Sequence, residues 1–245
     1  MRPVRRGRSP RPNDFEPYPD AKPALISRLG GYCSYCERRI ATNLAVEHIQ
    51  PKNLPAYIHL EGRWENFLLG CVNCNSTKSD KDVLLDHILL PDRDNTFLAF
   101  TYSPDGTVSP SAAAARHGIT RQAEDTLALT GLDKRISAVF DENGKRVSID
   151  RVSQRLEVWA VAEEASADLS NQPDNKDIRR IIVQAALGYG FFSIWMTIFK
   201  DDSDMRNRLI DAFPGTRESG CFDPADVRPV SPAPNPDDLA GGGKI

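Results

Sequence analysis

Two short stretches decide the reading: Tyr32-Cys33-Ser34-Tyr35-Cys36-Glu37 and, with 34 residues between the pairs, Cys71-Val72-Asn73-Cys74-Asn75-Ser76-Thr77-Lys78. Each holds a Cys-x-x-Cys pair, which a tight turn can present as two thiolates on one side. Two such turns facing each other make a tetrahedral four-sulfur site for Zn2+. Cys33, Cys36, Cys71 and Cys74 fill all four positions and leave none for water, so this zinc is expected to be structural. The bracketed segment is about 50 residues, too small to hold itself by apolar burial alone. A structural zinc supplies on the order of 10–16 kcal/mol to such a fold.

Between the pairs lie Val46-Glu47-His48-Ile49-Gln50-Pro51 and Trp64-Glu65-Asn66-Phe67-Leu68-Leu69, and Asn75 follows the last cysteine directly. Each feature alone is weak. A lone histidine beside branched apolar residues is more often structural than chemical, and an asparagine after a knuckle is usually a turn or cap. It is their joint order, between and beside the cysteine pairs, that carries information.

At these residues the chain resembles the HNH endonucleases, whose pattern is an acid-His-Ile-x-Pro segment, a middle Asn-Leu segment and Cys-x-x-Cys-Asn-x-x-Lys. The likeness covers residues 33–81, with Phe67 where leucine often stands. It implies an α+β class with a small ββα-metal, treble-clef-like module: a β-hairpin and a helix that clamp one divalent ion. His48 is then late in the first strand and Asn75 begins the helix. The resemblance further implies phosphodiester hydrolysis with His48 as general base, a role for which a neutral imidazole of pKa near 6.5 suits and which is typically worth about 10²–10⁴ in rate. It makes Glu47 and Asn75 ligands of a catalytic Mg2+ or Mn2+, hard ions that take oxygen donors, and gives Asn66 the task of holding the loop that orients His48. In a regular strand Glu47 and His48 point to opposite faces. Either the strand is distorted there or Glu47 reaches the ion from its edge, and the family more often has Asp at this position. Lys78 reads as a substrate-phosphate contact or, equally, as a solvated helix lysine. The competing reading is a non-catalytic zinc module that binds nucleic acid or protein.

The remaining histidines carry less. His59 sits in a loop, His87 has no partner at metal spacing, and His117 flanks a helix. Trp64 reads as core, with base stacking as the other use of such a ring. No apolar stretch approaches the roughly 20 residues that span a bilayer, and the basic N-terminus lacks the apolar run of a signal peptide. With paired Cys-x-x-Cys spacing, this favours a reducing, cytoplasmic setting. The net charge of −3 conceals an asymmetry: residues 1–81 hold 13 Lys+Arg against 8 Asp+Glu. A basic half suits a polyanion, although five of those cations are arginines in the first 11 residues, where a flexible arm explains them as well. No basic recognition helix is evident, which leans towards DNA cut with weak specificity.

Along the chain, residues 1–20 read as a basic extended arm and 21–90 as the nuclease module. Residues 91–213 read as a β-hairpin plus a mainly helical, partner-binding region, and 214–245, rich in Pro, Gly and Asp, as a disordered tail. A short helix is predicted over 21–30, a strand from Thr96 to Tyr102 returning after Pro104-Asp-Gly, and helices over 118–129, 148–169, 175–199 and 203–213. Met1-Arg-Pro-Val, the Tyr32–Glu37 segment, Asp105-Gly-Thr-Val and Thr126-Leu-Ala-Leu-Thr-Gly-Leu-Asp also resemble, more loosely, the HNH nuclease subunits of Septu-type and retron-associated antiphage systems. That likeness implies an ABC-like ATPase as partner.

Overall fold

The computed structural model describes residues 1–134, 139–140, 146–147 and 150–245. The cysteine-bracketed region contains an antiparallel strand pair and a helix: β1 (Ala45–His48), β2 (Phe67–Gly70) and α2 (Val72–Lys78), preceded by α1 (Lys22–Leu29). The register runs from Ala45 opposite Gly70 to His48 opposite Phe67, with no bulge. Pro23 suits the first turn of α1 and Gly30, at φ 73°, ends it, a backbone angle glycine adopts without a Cβ penalty. Leu25 and Leu29 of α1 are buried, and the helix packs across β1 and β2. Val46, Glu47 and His48 are all buried, so both faces of β1 are covered.

After the module, Phe100–Tyr102 (β3) pairs with Val108–Pro110 (β4). The predicted strand is shorter than expected at its start. Thr96–Ala99 forms one helical turn, α3, because the Asn95 side chain accepts a hydrogen bond from the Leu98 amide at 3.2 Å and caps it. The helices α4 (Ala112–Arg116), α5 (Thr120–Thr130), α6 (Arg151–Asn171), α7 (Lys176–Tyr189), α8 (Phe192–Ile198) and α9 (Ser203–Ala212) follow. Residues 148–149 of the predicted 148–169 helix lie outside the described residues. The single pattern expected over 175–199 is two helices, broken at Gly190 (φ 78°) and Phe191 (φ 55°). The break docks on the first cysteine knuckle: Phe191 N–H donates to Glu37 C=O at 3.0 Å. A Cβ at Gly190 would lie 2.4 Å from that same carbonyl oxygen, so only glycine permits the approach.

Both chain ends differ from expectation. Residues 214–245 are not a disordered tail. Cys221, Phe222, Val227 and Ala233 are buried, and the segment is tied in by its backbone. Asn95 Nδ2 donates to the carbonyls of Cys221 (2.8 Å) and Val230 (2.9 Å), and Gly243 N–H donates to Arg93 C=O (2.8 Å). In the basic N-terminal arm, Arg2 and Arg6 are buried. Arg2 donates to the carbonyls of Leu29 and Pro214, both at 2.6 Å. Arg6 pairs with Asp92 at 2.8 Å and also donates to the carbonyls of Phe67 and Glu65. These arginines therefore knit the fold rather than wait for a polyanion. Composition misled in both cases because it counts apolar runs. The anchors here are single residues, and the backbone is satisfied by side chains far away in sequence.

Candidate functional site

The first knuckle is a tight turn in which Cys33 N–H donates to Arg38 C=O (3.0 Å) and Glu37 N–H to Cys33 C=O (2.9 Å). Cys71 and Cys74 open α2, where the Cys71 Sγ caps the helix by accepting from the Cys74 amide. All four Sγ atoms are buried and lie within 4.8 Å of one another, and Cys36 Sγ and Cys71 Sγ are 3.7 Å apart. A tetrahedron with Zn–S near 2.3 Å has S···S edges of about 3.8 Å. The donor set and its size thus fit a structural zinc held by Cys33, Cys36, Cys71 and Cys74. Outside the sulfurs, the buried Arg151 Nη1 donates to Cys74 Sγ at 3.0 Å, and the same guanidinium bonds the carbonyls of Thr130 and Gly131.

Next to this cluster, the end of β1 and the first turns of α2 enclose a pocket of about 190 Å³ whose lining includes Tyr18, Glu47, His48, Lys52, Asn75 and Lys78. The His48 ring is wedged edge-on between Tyr18 (centroids 4.7 Å) and Phe67 (5.2 Å). Its Nε2 lies 2.9 Å from the Glu61 carbonyl. A carbonyl only accepts, so Nε2 carries the proton and the neutral ring keeps its lone pair on Nδ1. Burial pushes the imidazole below its ordinary pKa, against the pull of that carbonyl, and so favours the neutral form.

Asn66 ties together the segments on either side of this histidine. Its Oδ1 accepts from Gln50 N–H (2.8 Å), and its Nδ2 donates to the carbonyls of Gln50 (2.9 Å) and Leu60 (3.3 Å). It therefore pins the chain just after His48 to the turn whose Glu61 carbonyl holds the ring.

Glu47 is buried, with Oε1 3.0 Å from the Lys78 ammonium but without a directed hydrogen bond. Burial pushes its carboxyl up and the Lys78 charge opposes this. An under-satisfied buried carboxylate oxygen beside the half-exposed Asn75 is a donor pair that a hard cation fits. Lys78 departs from both sequence readings. It is 2% exposed, and its Nζ also donates to His48 C=O at 2.7 Å. It is an internal counter-ion that joins Glu47 to the His48 backbone, not a solvated lysine or an open phosphate contact.

His59, His87 and His117 are exposed and line no part of this pocket. Trp64 is core: it stacks on Phe15 at 5.6 Å and donates to Gly7 C=O at 2.8 Å. Sequence reasoning missed Tyr18, Lys52 and Arg151. Tyr18 lies in the Pro- and Asp-rich arm, 30 residues before His48, and carries no local signal. Lys52 follows the acid-His-Ile-x-Pro segment directly, and that nearness could have flagged it.

Residues 33–81 match the family model of the HNH endonucleases. The match spans both cysteine pairs, β1, β2 and α2, which makes this segment an HNH domain and points to a nuclease acting on nucleic acid. No curated protein matches the chain. Among the described residues no helix is long and apolar enough to cross a membrane.

Proposed function

We propose that the chain is a metal-dependent HNH endonuclease in which His48 is the general base, Glu47 and Asn75 hold a Mg2+ or Mn2+ ion, Asn66 positions His48, and the four cysteines hold structural zinc. The observation that carries this reading is the convergence of Glu47, His48 and Asn75 on one pocket beside the sulfur cluster. When bound, the ion would supply Lewis acidity at the scissile phosphate. His48 Nδ1 takes the proton of the attacking water, while the Glu61 carbonyl holds Nε2–H and fixes the tautomer. Asn66 keeps that carbonyl in place through Leu60 and Gln50. Tyr18 and Phe67 bound the ring on both sides and keep it from rotating.

His48→Ala is the test. With zinc content retained, cleavage of DNA or RNA in Mg2+ or Mn2+ is expected to fall about 10²–10⁴-fold. If the wild type cleaves neither polymer with either ion, the binding-module reading takes its place. DNA is the favoured substrate, as the sequence reading leans, and running both polymers in this assay tests the choice. The looser Septu-type resemblance supports an antiphage role in the cytoplasm with an ABC-like ATPase as partner. An adjacent ATPase gene, or copurification with such a subunit, tests that part separately.

A further inference from the structure

A cavity of about 580 Å³, roughly three times the pocket at His48, opens between the N-terminal arm, the end of α1 and the 214–218 turn. Its lining includes four arginines, at positions 5, 6, 8 and 28, and one acid, Glu218. Two of these charges are already answered: Arg5 pairs with Asp237 at 2.9 Å and Arg6 with Asp92 at 2.8 Å. The other two form no ion pair among the described residues, although Arg8 is near enough to Asp237 to help Arg5 hold its carboxyl down. Arg28 spends Nη1 on the carbonyls of Arg6 (2.7 Å) and Arg8 (2.6 Å) and forms no ion pair with a carboxylate among the described residues.

The arm then runs from this cavity to His48 on an aromatic support. Gly7 C=O is held by Trp64 Nε1, and the Arg28 guanidinium lies over the Trp64 ring at 5.2 Å. Arg11 lies 3.7 Å from the centre of the Phe15 ring and donates to the Asp14 carbonyl, while its Nε has no partner. Phe15 packs on Trp64 and Phe67, and Tyr18 packs on His48. Asp14, the acid nearest Arg11 in the chain, is taken by Arg63 at 3.2 Å. Glu16 and Asp20 are exposed at the Tyr18 end, so the unanswered positive charge concentrates at the cavity end of the arm.

Arg11 and Arg28 are guanidiniums fixed by stacking and by carbonyls, with Nη donors left over and no carboxylate ion pair among the described residues, which suits a phosphate oxygen, and Arg8 adds an exposed charge beside them. We infer that Arg8, Arg11 and Arg28 form a phosphate track that grips the nucleic-acid backbone flanking the scissile bond and leads it to His48. This rests on the nuclease reading for its direction, and on the arm for its location. It assigns the N-terminal arm, outside the HNH match, to substrate binding.

The test uses the full chain carrying His48→Ala, so that substrate survives, and a labelled mixed-sequence DNA duplex titrated between 50 and 200 mM salt. Adding Arg8→Gln, at an exposed side chain, and Arg11→Gln, at a half-buried one, is expected to lower the slope of log K against log[salt] by about 2, near 0.9 per lost phosphate contact. Low-salt affinity falls more than tenfold with an unchanged melting temperature. Arg28→Lys, which keeps the charge but loses the fork, is expected to give a smaller loss at an unchanged slope. An unchanged slope and affinity in the double-Gln variant overturns the track, as does absence of duplex binding by the His48→Ala protein, or equal competition by polyglutamate. The nuclease reading fails on a different measurement. A small phosphodiester such as bis(p-nitrophenyl) phosphate does not span the track, so its hydrolysis should survive the arginine changes and vanish with His48→Ala.

Discussion

Asp92→Asn is the most informative single change for the fold. The Asp92 carboxylate is fully buried and pairs with Arg6 at 2.8 Å and Arg93 at 3.0 Å, both also buried. Arg6 comes from the arm. Arg93 also donates to the Ala240 carbonyl of the C-terminal segment (2.7 Å) and to Glu65 of the HNH domain (3.3 Å). One carboxylate thus joins three parts of the chain. The amide has the same shape, so no cavity forms, but two buried guanidiniums lose their counter-charge. Breaking a buried pair in this way costs about 3–5 kcal/mol, a large share of the ~5–15 kcal/mol that holds a protein folded. For a chain of this size that is roughly 6–20 °C in melting temperature. The pH dependence gives a second check. Burial pushes the Asp92 carboxyl up, but Arg93 and Arg6 outweigh it and hold it below its ordinary value. A depressed folded pKa means the contribution is fully present above the unfolded value, about 3.9, and is lost as pH falls through the folded one. The gap between wild type and Asp92→Asn, read from urea denaturation at saturating zinc, should be full at pH 7 and close below about pH 4. A loss under about 1 kcal/mol at pH 7, or a gap constant into acid, refutes the hub.

Two further changes probe the site. Arg151→Leu removes the N–H···S bond to Cys74 and is expected to weaken zinc binding about 10–100-fold, as loss of groups behind a metal ligand does. Chelator competition reads this directly, and an unchanged zinc affinity counts against a role for Arg151 at the cluster. Lys78→Met strands the Glu47 carboxylate in the interior and should destabilise by about 3–5 kcal/mol, with Glu47→Gln added to it restoring part of the loss. If the double variant is no better than Lys78→Met alone, the two side chains do not act as a pair.

The four-cysteine cluster was legible because metal geometry imposes short, fixed spacings, Cys33 to Cys36 and Cys71 to Cys74, whereas the strand pair, whose strands lie 18 residues apart, entered only as what the HNH resemblance implied. The helices from Thr120 onward were legible from periodicity, although the pattern over 175–199 is two helices rather than one, parted at Gly190 by a backbone angle glycine adopts freely. The interactions that could not be read join residues far apart in the chain. Arg6 meets Asp92, Asn95 meets Cys221 and Val230, and Arg151 meets Cys74. No local pattern encodes such pairs, and Pro, Gly and Arg enrichment looks the same whether a segment is solvated or threaded through a core. The helical turn at Thr96 hid for a more local reason, since β-favouring aromatics follow it and one capping side chain decided the matter.

The conflict over Glu47 resolves at the strand edge. With β1 and β2 in unbroken register, alternation holds: Glu47 turns towards Lys78 of α2, and His48 turns towards Tyr18 and Phe67. Yet both line one pocket. A sheet of two strands leaves β1 with a free edge, and side chains from opposite faces of a strand can meet there. A free edge exposes backbone groups that need partners. Lys78 supplies one by donating to the His48 carbonyl while its charge holds Glu47. The lysine therefore sets the relative placement of the proposed base and the proposed metal-binding acid, a role that a residue reaching outward for phosphate would not fill.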